Sequence, residues 1–506
     1  MKIRNSEISA KERGMAIVLC LLCCMLSANA QSVLNLDSCR NLALRNNKQL
    51  NISKLKKEVA TNTRKAAHTK YLPKVSANGM YQFTSREISI LNNEDKNTLS
   101  NLGTTTSGQI GNSASNVIGQ LTQQGVISGE QAQLFGKILN QAGSTIGSSL
   151  NQIGQHIRDA FDTDTRNLFT ADILITQPIF MGGAITAANR MAKISEQLAD
   201  NSIENSRQST IYETDKAYWL VVSLKQKQRL ADSYLDLVKK LHSHVEKMVN
   251  DGIATKADGL KVAVKVNEAE MAKQKVDDGL TLAKMLLCQI CGIDINGDIT
   301  LADEDNEDIA ATTAVSDINK EEAFENRTEL KMLQNTIDIS KENTKLVRAA
   351  YLPKVAAMGG YMMSNPCLYN GFERKFSGMF HVGVVVQVPV WSWFEGRYKM
   401  NATKAATNIA QMELNDAQEK IELQINQTSF QTREARKRLS MAEKNIESAK
   451  ENLRCANIGF KEGIMSTTDV MTAQTAWLEA QSRKIDAEID VALSNTNMKK
   501  VMGTLK

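Results

Sequence analysis

Tyr71-Leu72-Pro73-Lys74-Val75 returns letter for letter as Tyr351-Leu352-Pro353-Lys354-Val355. Each copy follows a long helical pattern and leads into alternating apolar residues, so each marks the passage from a helix to a strand. Further matched marks lie outward from it. Gln177-Pro178-Ile179-Phe180 has a counterpart in Val388-Pro389-Val390-Trp391, and Asp251-Gly252-Ile253-Ala254-Thr255 has one in Glu462-Gly463-Ile464-Met465-Ser466. Six residues after each of these glycines stands an aspartate, Asp258 and Asp469. The chain advances 74 residues from Pro178 to Gly252 and again 74 from Pro389 to Gly463. It takes 106 residues from Leu72 to Pro178 but only 37 from Leu352 to Pro389. Equal spacing on one side and a surplus of 69 residues on the other describe a duplicated unit with one insertion, at about residues 92–168.

Four strands flank these marks. Val75, Ala77, Gly79, Tyr81 and Phe83 are apolar or small, with Ser76, Asn78 and Gln82 between them. Ala171, Ile173 and Ile175 alternate ahead of Pro178, and Phe380, Val382, Val384, Val386 and Val388 ahead of Pro389. After Val355 the alternation is poor, because Met358 and Met362 fall opposite Tyr361. Each segment has the length of a membrane β-strand, roughly 9–11 residues. Four strands cannot close a barrel, and an open edge in hydrocarbon leaves backbone groups unpaired. Either several chains share one barrel, or these strands lie outside a membrane.

Between Gly183 and Asn250 there is no proline and a sustained helical stripe that includes Ile194, Leu198, Leu220, Leu224, Leu235, Val238 and Val245. At 1.5 Å per residue that is roughly 100 Å of helix. Gly396 to Phe460 is the matching run. Such a stripe alone is that of a coiled coil; two of them, each launched from a strand pair, are not explained that way. The insertion is rich in Gly, Ser, Asn and Gln, and composition leaves a partly helical surface loop and a lid equally open.

The N-terminus reads as a secretory signal. Lys2, Arg4, Lys11 and Arg13 precede an apolar run from Ala16 to Leu26, and Ala28-Asn29-Ala30 offers small residues for cleavage before Gln31. The run is too short to span a bilayer, which takes roughly 20 residues. The formal charge is +5 over 506 residues, too small an excess to point to nucleic acid. Cys39, Cys288, Cys291, Cys367 and Cys455 remain after the signal, an odd and scattered set that argues against a disulfide framework. Cys288-Gln289-Ile290-Cys291 ends a helical pattern before Gly292 and reads as structural. His242 and His244 stand two apart on a helix with no third ligand near, and no phosphate loop, nucleophile elbow or paired carboxylates are present. Asp303 to Asp308 lacks the spacing of a calcium loop and reads as a solvated connection. No enzyme, cofactor or metal site is expected.

Helix, Leu-Pro-x-Val strand, strand ending at proline, long helix, glycine turn with aspartate six later, helix, and then all of it again: this order resembles the TolC family across the mature chain. Leu34-Asn35-Leu36-Asp37 looks like the family's first helix, Arg327-Thr328-Glu329-Leu330 like the start of its second copy, and Met502-Gly503-Thr504-Leu505 like its C-terminal stop. The resemblance implies a mainly α fold with a β-barrel part. The arrangement it implies is a trimeric channel-tunnel in which four membrane strands per protomer would make a shared 12-stranded barrel in the outer membrane of a Gram-negative-type cell, with long helices in the periplasm. Residues 1–30 would be signal peptide, 31–310 the first repeat and 311–506 the second.

By the same resemblance, Gly252, Ile253, Ala254 and Thr255, with Gly463, Ile464, Met465 and Ser466, are helix tips on which a periplasmic adaptor docks, itself attached to an inner-membrane transporter. Asp258 and Asp469 would sit at the periplasmic aperture, Asp469 in a ring of three; a helix N-cap is the other reading of either. The family's latch arginine is replaced here by Met465, and a second aspartate by Thr472. The implied function is the outer-membrane duct of a tripartite efflux system. The same channel serving type I protein secretion and a periplasmic coiled-coil adaptor are the alternatives.

Overall fold

The structure, a computed structural model, describes residues 33–86, 91–160, 165–306, 319–367, 369 and 373–506. The expected signal peptide and the boundary between repeats at 310/311 lie outside the described residues.

In chain order, a short strand β1 (Val33–Leu34) is followed by α1 (Leu36–Asn46) and α2 (Lys48–His68), then β2 (Lys74–Phe83). The inserted segment forms α3 (Asn93–Ser100), α4 (Leu102–Gln123) and α5 (Gly129–Ala160). Next come β3 (Asn167–Met181), α6 (Ala184–Asn250), α7 (Lys256–Cys291), β4 (Thr300–Leu301), α8 (Lys320–Asn326) and α9 (Thr328–Ala349). The chain ends with β5 (Lys354–Asn365), β6 (Ser377–Gln387), α10 (Glu395–Lys461) and α11 (Thr467–Val501). The two long helices are each 67 residues. No helix among the described residues is long and apolar enough to cross a membrane.

The chain forms two compact units, and each draws segments from both halves of the sequence. One consists of 66–187 and 345–398 and holds a four-stranded antiparallel sheet in the order β2-β3-β5-β6. Its register sorts the residues by face. Val75 pairs with Ile175, Ala77 with Ile173, Gly79 with Ala171 and Tyr81 with Phe169. The same row continues through Ile173–Tyr361 and Tyr361–Phe380, and through Gly359–Val382 and Ala357–Val384. Directly opposed residues share a face, so one face is apolar or small except for Gln177 and, at its far end, Asn167 and Asn365. The other carries Ser76, Asn78, Asp172 and Thr170, with Asn78 donating to Asp172 at 3.0 Å. Met358 and Met362, which spoil the alternation of β5, stand opposite Thr176 and Asp172 on that second face. The apolar face is unburied: Phe380 is 80% and Val382 84% exposed. Among the described residues of one chain β2 and β6 are edges, so the sheet is open there.

The other unit holds most of α6, α7, α10 and α11 with α1 and most of α2, and it has three larger cores. Leu34, Cys39, Tyr218, Val221, Leu287 and Leu301 join β1, α1, α6, α7 and β4. Leu330, Ile337, Leu414, Ile425 and Met498 join α9, α10 and α11. Tyr234, Val238, Val245, Val262, Leu453 and Val470 join α6, α7, α10 and α11. Arg40 on α1 locks onto fully buried Asp215 on α6 through two bonds of 2.7 and 2.6 Å. Arg327, ahead of α9, reaches the Val501 carbonyl at 3.1 Å and Gln424 at 3.2 Å.

Cys288 and Cys291 are buried beside Cys39, with the Cys291 thiol 3.6 Å from the Cys39 carbonyl. Burial pushes the Cys288 thiol up, away from the reactive thiolate. The acidic run after Leu301 is less solvated than its composition suggests. Tyr218 donates to Asp303 at 2.6 Å, and buried Glu304 accepts from the Leu301 amide at 3.1 Å. Once its polar groups are paired this way, an acidic segment can lie against a core.

Candidate functional site

Both predicted tips are helix-turn-helix corners built alike. α6 stops where Gly252 takes a left-handed conformation (φ 74°), and α10 where Gly463 does so (φ 71°). A residue with a Cβ resists that conformation, so glycine ends the helix there. In the first corner the Ile253 and Ala254 amides return to the Met248 carbonyl at 2.8 and 3.0 Å. In the second, the Ile464 and Met465 amides return to the Gly459 carbonyl at 2.7 and 3.0 Å. The corner then reverses at Thr255 or Ser466, each the N-cap of the next helix.

Asp258 and Asp469 complete capping boxes. The Asp258 carboxylate accepts from the Thr255 hydroxyl at 2.6 Å and amide at 3.3 Å, while the Asp258 amide donates back to that hydroxyl at 3.2 Å. Asp469 accepts from the Ser466 hydroxyl at 2.7 Å and amide at 2.9 Å, with the reciprocal bond at 3.2 Å. These donors favour the charged form and hold both carboxyls below their ordinary range; Lys261, 3.3 Å from Asp258, adds to the effect there. The N-cap reading of the two aspartates is corrected by three positions: Thr255 and Ser466 are the N-caps, and Asp258 and Asp469 are the N3 partners that complete each box.

With the backbone satisfied, the corners present apolar side chains to solvent. Ile253 is 71% and Ile464 82% exposed. Met465 does something different. A Cβ on Gly459 would lie 2.9 Å from the Met465 side chain, so Met465 folds back over its own corner and covers Gly459.

Beside the corners runs a groove of about 590 Å³ that the sequence reading missed. α7 contributes Lys261, Val264, Lys265 and Glu268, and α11 contributes Thr468, Met471, Thr472, Thr475, Ala476 and Glu479. Within each helix these residues recur every three or four positions, which is a visible face. That the two faces oppose one another, some two hundred residues apart, is tertiary information. Met471, Val264 and Ala476 give the groove an apolar floor, and charged residues edge it, among them Lys265 paired with Glu268 at 2.9 Å. No group of three His, Cys, Asp or Glu side chains able to hold a metal is found among the described residues.

A second missed feature follows the strands. Four and five residues after Pro178 stand Gly182 and Gly183, both with positive φ; four and five after Pro389 stand Trp393 and Phe394, at φ 49° and 64°. The same turn that two glycines make without strain is made by two aromatic residues at a cost of about 1–2 kcal/mol each. Trp391, Trp393 and Phe394 form an exposed cluster with ring centroids 5.6 and 5.9 Å apart.

A family profile described as outer membrane efflux protein matches residues 124–292 and 320–504. The chain is 23% identical over 381 residues to outer membrane protein TolC of Vibrio cholerae serotype O1, spanning 73% of this chain and 83% of that one. It is 19% identical over 365 residues to the alkaline protease secretion protein AprF of Pseudomonas aeruginosa, spanning 70% and 75%. The CmeC outer membrane channel of Campylobacter jejuni shares the fold at a TM-score of 0.69 and 14% identity, over 93% of this chain and 86% of that one. The architecture is that of a TolC-like channel-tunnel, helical with a β-barrel part. With both halves of the sequence matched over most of their length, the chain belongs to the outer membrane efflux protein family.

Proposed function

We propose that three copies close their sheets into one 12-stranded barrel in the outer membrane. The assembly acts as the passive exit duct of a tripartite efflux system, with α6, α7, α10 and α11 extending into the periplasm. The observation that carries this reading is the sheet: largely apolar on one face, mixed polar and apolar on the other, and open at β2 and β6. A sheet of that kind is at rest in hydrocarbon only when its edges are paired, and three fours give the even count of bacterial barrels. The exposed aromatic cluster at Trp391, Trp393 and Phe394 suits a membrane–water interface, where amphipathic rings collect. The protein is a channel and not an enzyme; energy and substrate choice come from an inner-membrane transporter.

Docking of a periplasmic adaptor is assigned to Gly252, Ile253, Ala254 and Thr255 and to Gly463, Ile464, Met465 and Ser466. The support is that each corner has its backbone bonds made internally and its isoleucine left outside. Asp258 and Asp469 border the periplasmic aperture in this assignment, where a ring of carboxylates favours cations. The likeness to AprF, a protease secretion protein by name, favours protein secretion as a second reading. Deletion of the gene separates the two. Loss of tolerance to amphipathic toxicants, with secreted proteins unchanged, is the outcome expected for efflux; loss of a secreted protein alone would transfer the duct to secretion.

A further inference from the structure

The duplication leaves the inserted segment unexplained, and it is a built structure. Its ends are held together where Phe83 pairs with Asn167 and the Thr84 amide donates to the Arg166 carbonyl at 2.8 Å. This is the end of β2 and β3 away from Lys74 and Met181, hence away from where α2 and α6 join the strands. α4 and α5 lie with their backbones nearly touching. A Cβ on Gly103 of α4 would come 1.9 Å from the Gly147 carbonyl oxygen of α5, and α3 approaches α5 as closely, since one on Gly154 would come 1.8 Å from the Leu99 carbonyl oxygen. Asn151 on α5 accepts from the Gly103 and Thr104 amides at 2.8 and 3.2 Å, satisfying the start of α4. The hairpin is therefore a specific pairing of helices.

Its other surface is unsatisfied. Phe135, Ile138, Ile146 and Ile153 recur on one side of α5, and Ile110 and Val117 border them on α4; all six are between 47% and 54% exposed. Ile110, Ser113, Ala114, Val117 and Leu139 line an apolar hollow of about 530 Å³ between the helices. A contiguous apolar surface of this kind marks an association site.

Charge decides what covers it. From residue 101 to 157 the only Asp, Glu, Lys or Arg residues are Glu130 and Lys137. A helix that lies in a membrane surface carries Lys and Arg on its polar face, and a foreign protein is usually selected by complementary charge. The polar positions here are Ser, Thr, Asn, Gln and Gly. Neutral, identical surfaces meet without repulsion, and the chain supplies identical partners. The insertion leaves from β2, an edge strand. Closing the shared barrel sets each β2 against a neighbour's β6 and brings three insertions to one axis, each tethered at a high effective concentration.

We propose that the α4–α5 hairpins of three copies pack through this stripe into a helical cap at the outer end of the barrel, narrowing the exit. The proposal rests on the shared-barrel reading above.

Cross-linking tests it. In a Cys455→Ser background, where Cys39, Cys288, Cys291 and Cys367 are buried, Ile138→Cys and Ile146→Cys are introduced singly. The purified full-length protein is oxidised with copper phenanthroline. Disulfide-linked dimers at least tenfold more abundant than from Ser148→Cys, on the opposite side of α5, are expected. An intact trimer with no excess of linked dimers at either position would overturn the cap. Quenching of a bimane on Ile146→Cys by nitroxide lipid would then identify lipid as the occupant. A monomeric protein would overturn the shared barrel and the cap together, which distinguishes the two failures. Ile138→Lys/Ile146→Lys, which sets six like charges around the axis, is expected to raise single-channel conductance at least twofold; unchanged conductance from an intact trimer would overturn the constriction.

Discussion

Asp469 accepts 2.7 Å from the Ser466 hydroxyl and 2.9 Å from the Ser466 amide, and Asp258 repeats the arrangement with Thr255 in the other half of the chain. In the proposed trimer one residue would serve two ends. As the N3 partner in a capping box it helps start the descending helix, and as a fixed charge it would stand where three copies bring three carboxylates together.

Those two roles separate by mutation. Ser466→Ala removes the cap hydroxyl and should cost about 1 kcal/mol of local helix stability while leaving the cation preference of the channel in place. Asp469→Asn removes the charge and should weaken that preference. Reversal-potential measurements on the two variants check the assignment; equal preference in Asp469→Asn and wild type would take Asp469 out of the aperture.

Protonation gives the same corners a pH limit. Both carboxyls are held below their ordinary range by hydrogen bonds made only in the folded corner. A depressed folded value contributes stability that is fully present above the unfolded pKa, about 3.9, and is lost as pH falls through the folded value. The protection factors of the Gly259 and Val470 amides, taken relative to intrinsic exchange at each pH, should therefore hold at neutral pH and fall only below about pH 4. A fall beginning near pH 6 would contradict the hydrogen-bonded carboxylates.

Arg40 and Asp215 test the helical unit. Hydrogen bonding to buried Asp215, with its charge, raises the Arg40 guanidinium above its ordinary value. Arg40→Ala leaves that carboxylate uncompensated and should destabilise the fold by about 3–5 kcal/mol. Arg40→Ala/Asp215→Ala should recover part of the loss. Urea unfolding of the single and double variants measures both, and additive losses would deny the coupling.

The exposed corners should contact another protein. A photo-crosslinking residue at Ile253 or Ile464, introduced in the native cell, is expected to trap one periplasmic adaptor identified by mass spectrometry. The same residue at exposed Leu423, midway along α10, should not. Equal capture at all three positions would remove the tips as the docking surface.

The aromatic cluster should touch lipid. With Trp219→Phe and Trp477→Phe in place, the remaining fluorescence comes from Trp391 and Trp393. Brominated lipid should quench most of it in proteoliposomes; unquenched emission would put the cluster in water or protein.

The strands, long helices and corners were legible in the sequence because each has a local signature. Alternation marked β2, β3 and β6, the absence of proline marked α6 and α10, and Gly252 and Gly463 marked the corners. β5 was obscure because its methionines break the alternation; only pairing with Asp172 and Thr176 shows which face they occupy. The inserted helices were obscure for a different reason. Gly103, Gly147 and Gly154 read as loop residues by propensity, whereas the structure uses them to let two backbones meet. The groove between α7 and α11 depends on which helices are neighbours, and no local pattern carries that.

Reconstitution of the purified protein in planar bilayers tests the central claim most directly. Discrete, cation-preferring current steps from a trimer-sized complex are the predicted result. A well-folded sample that neither inserts nor conducts would contradict the shared barrel, and with it the duct.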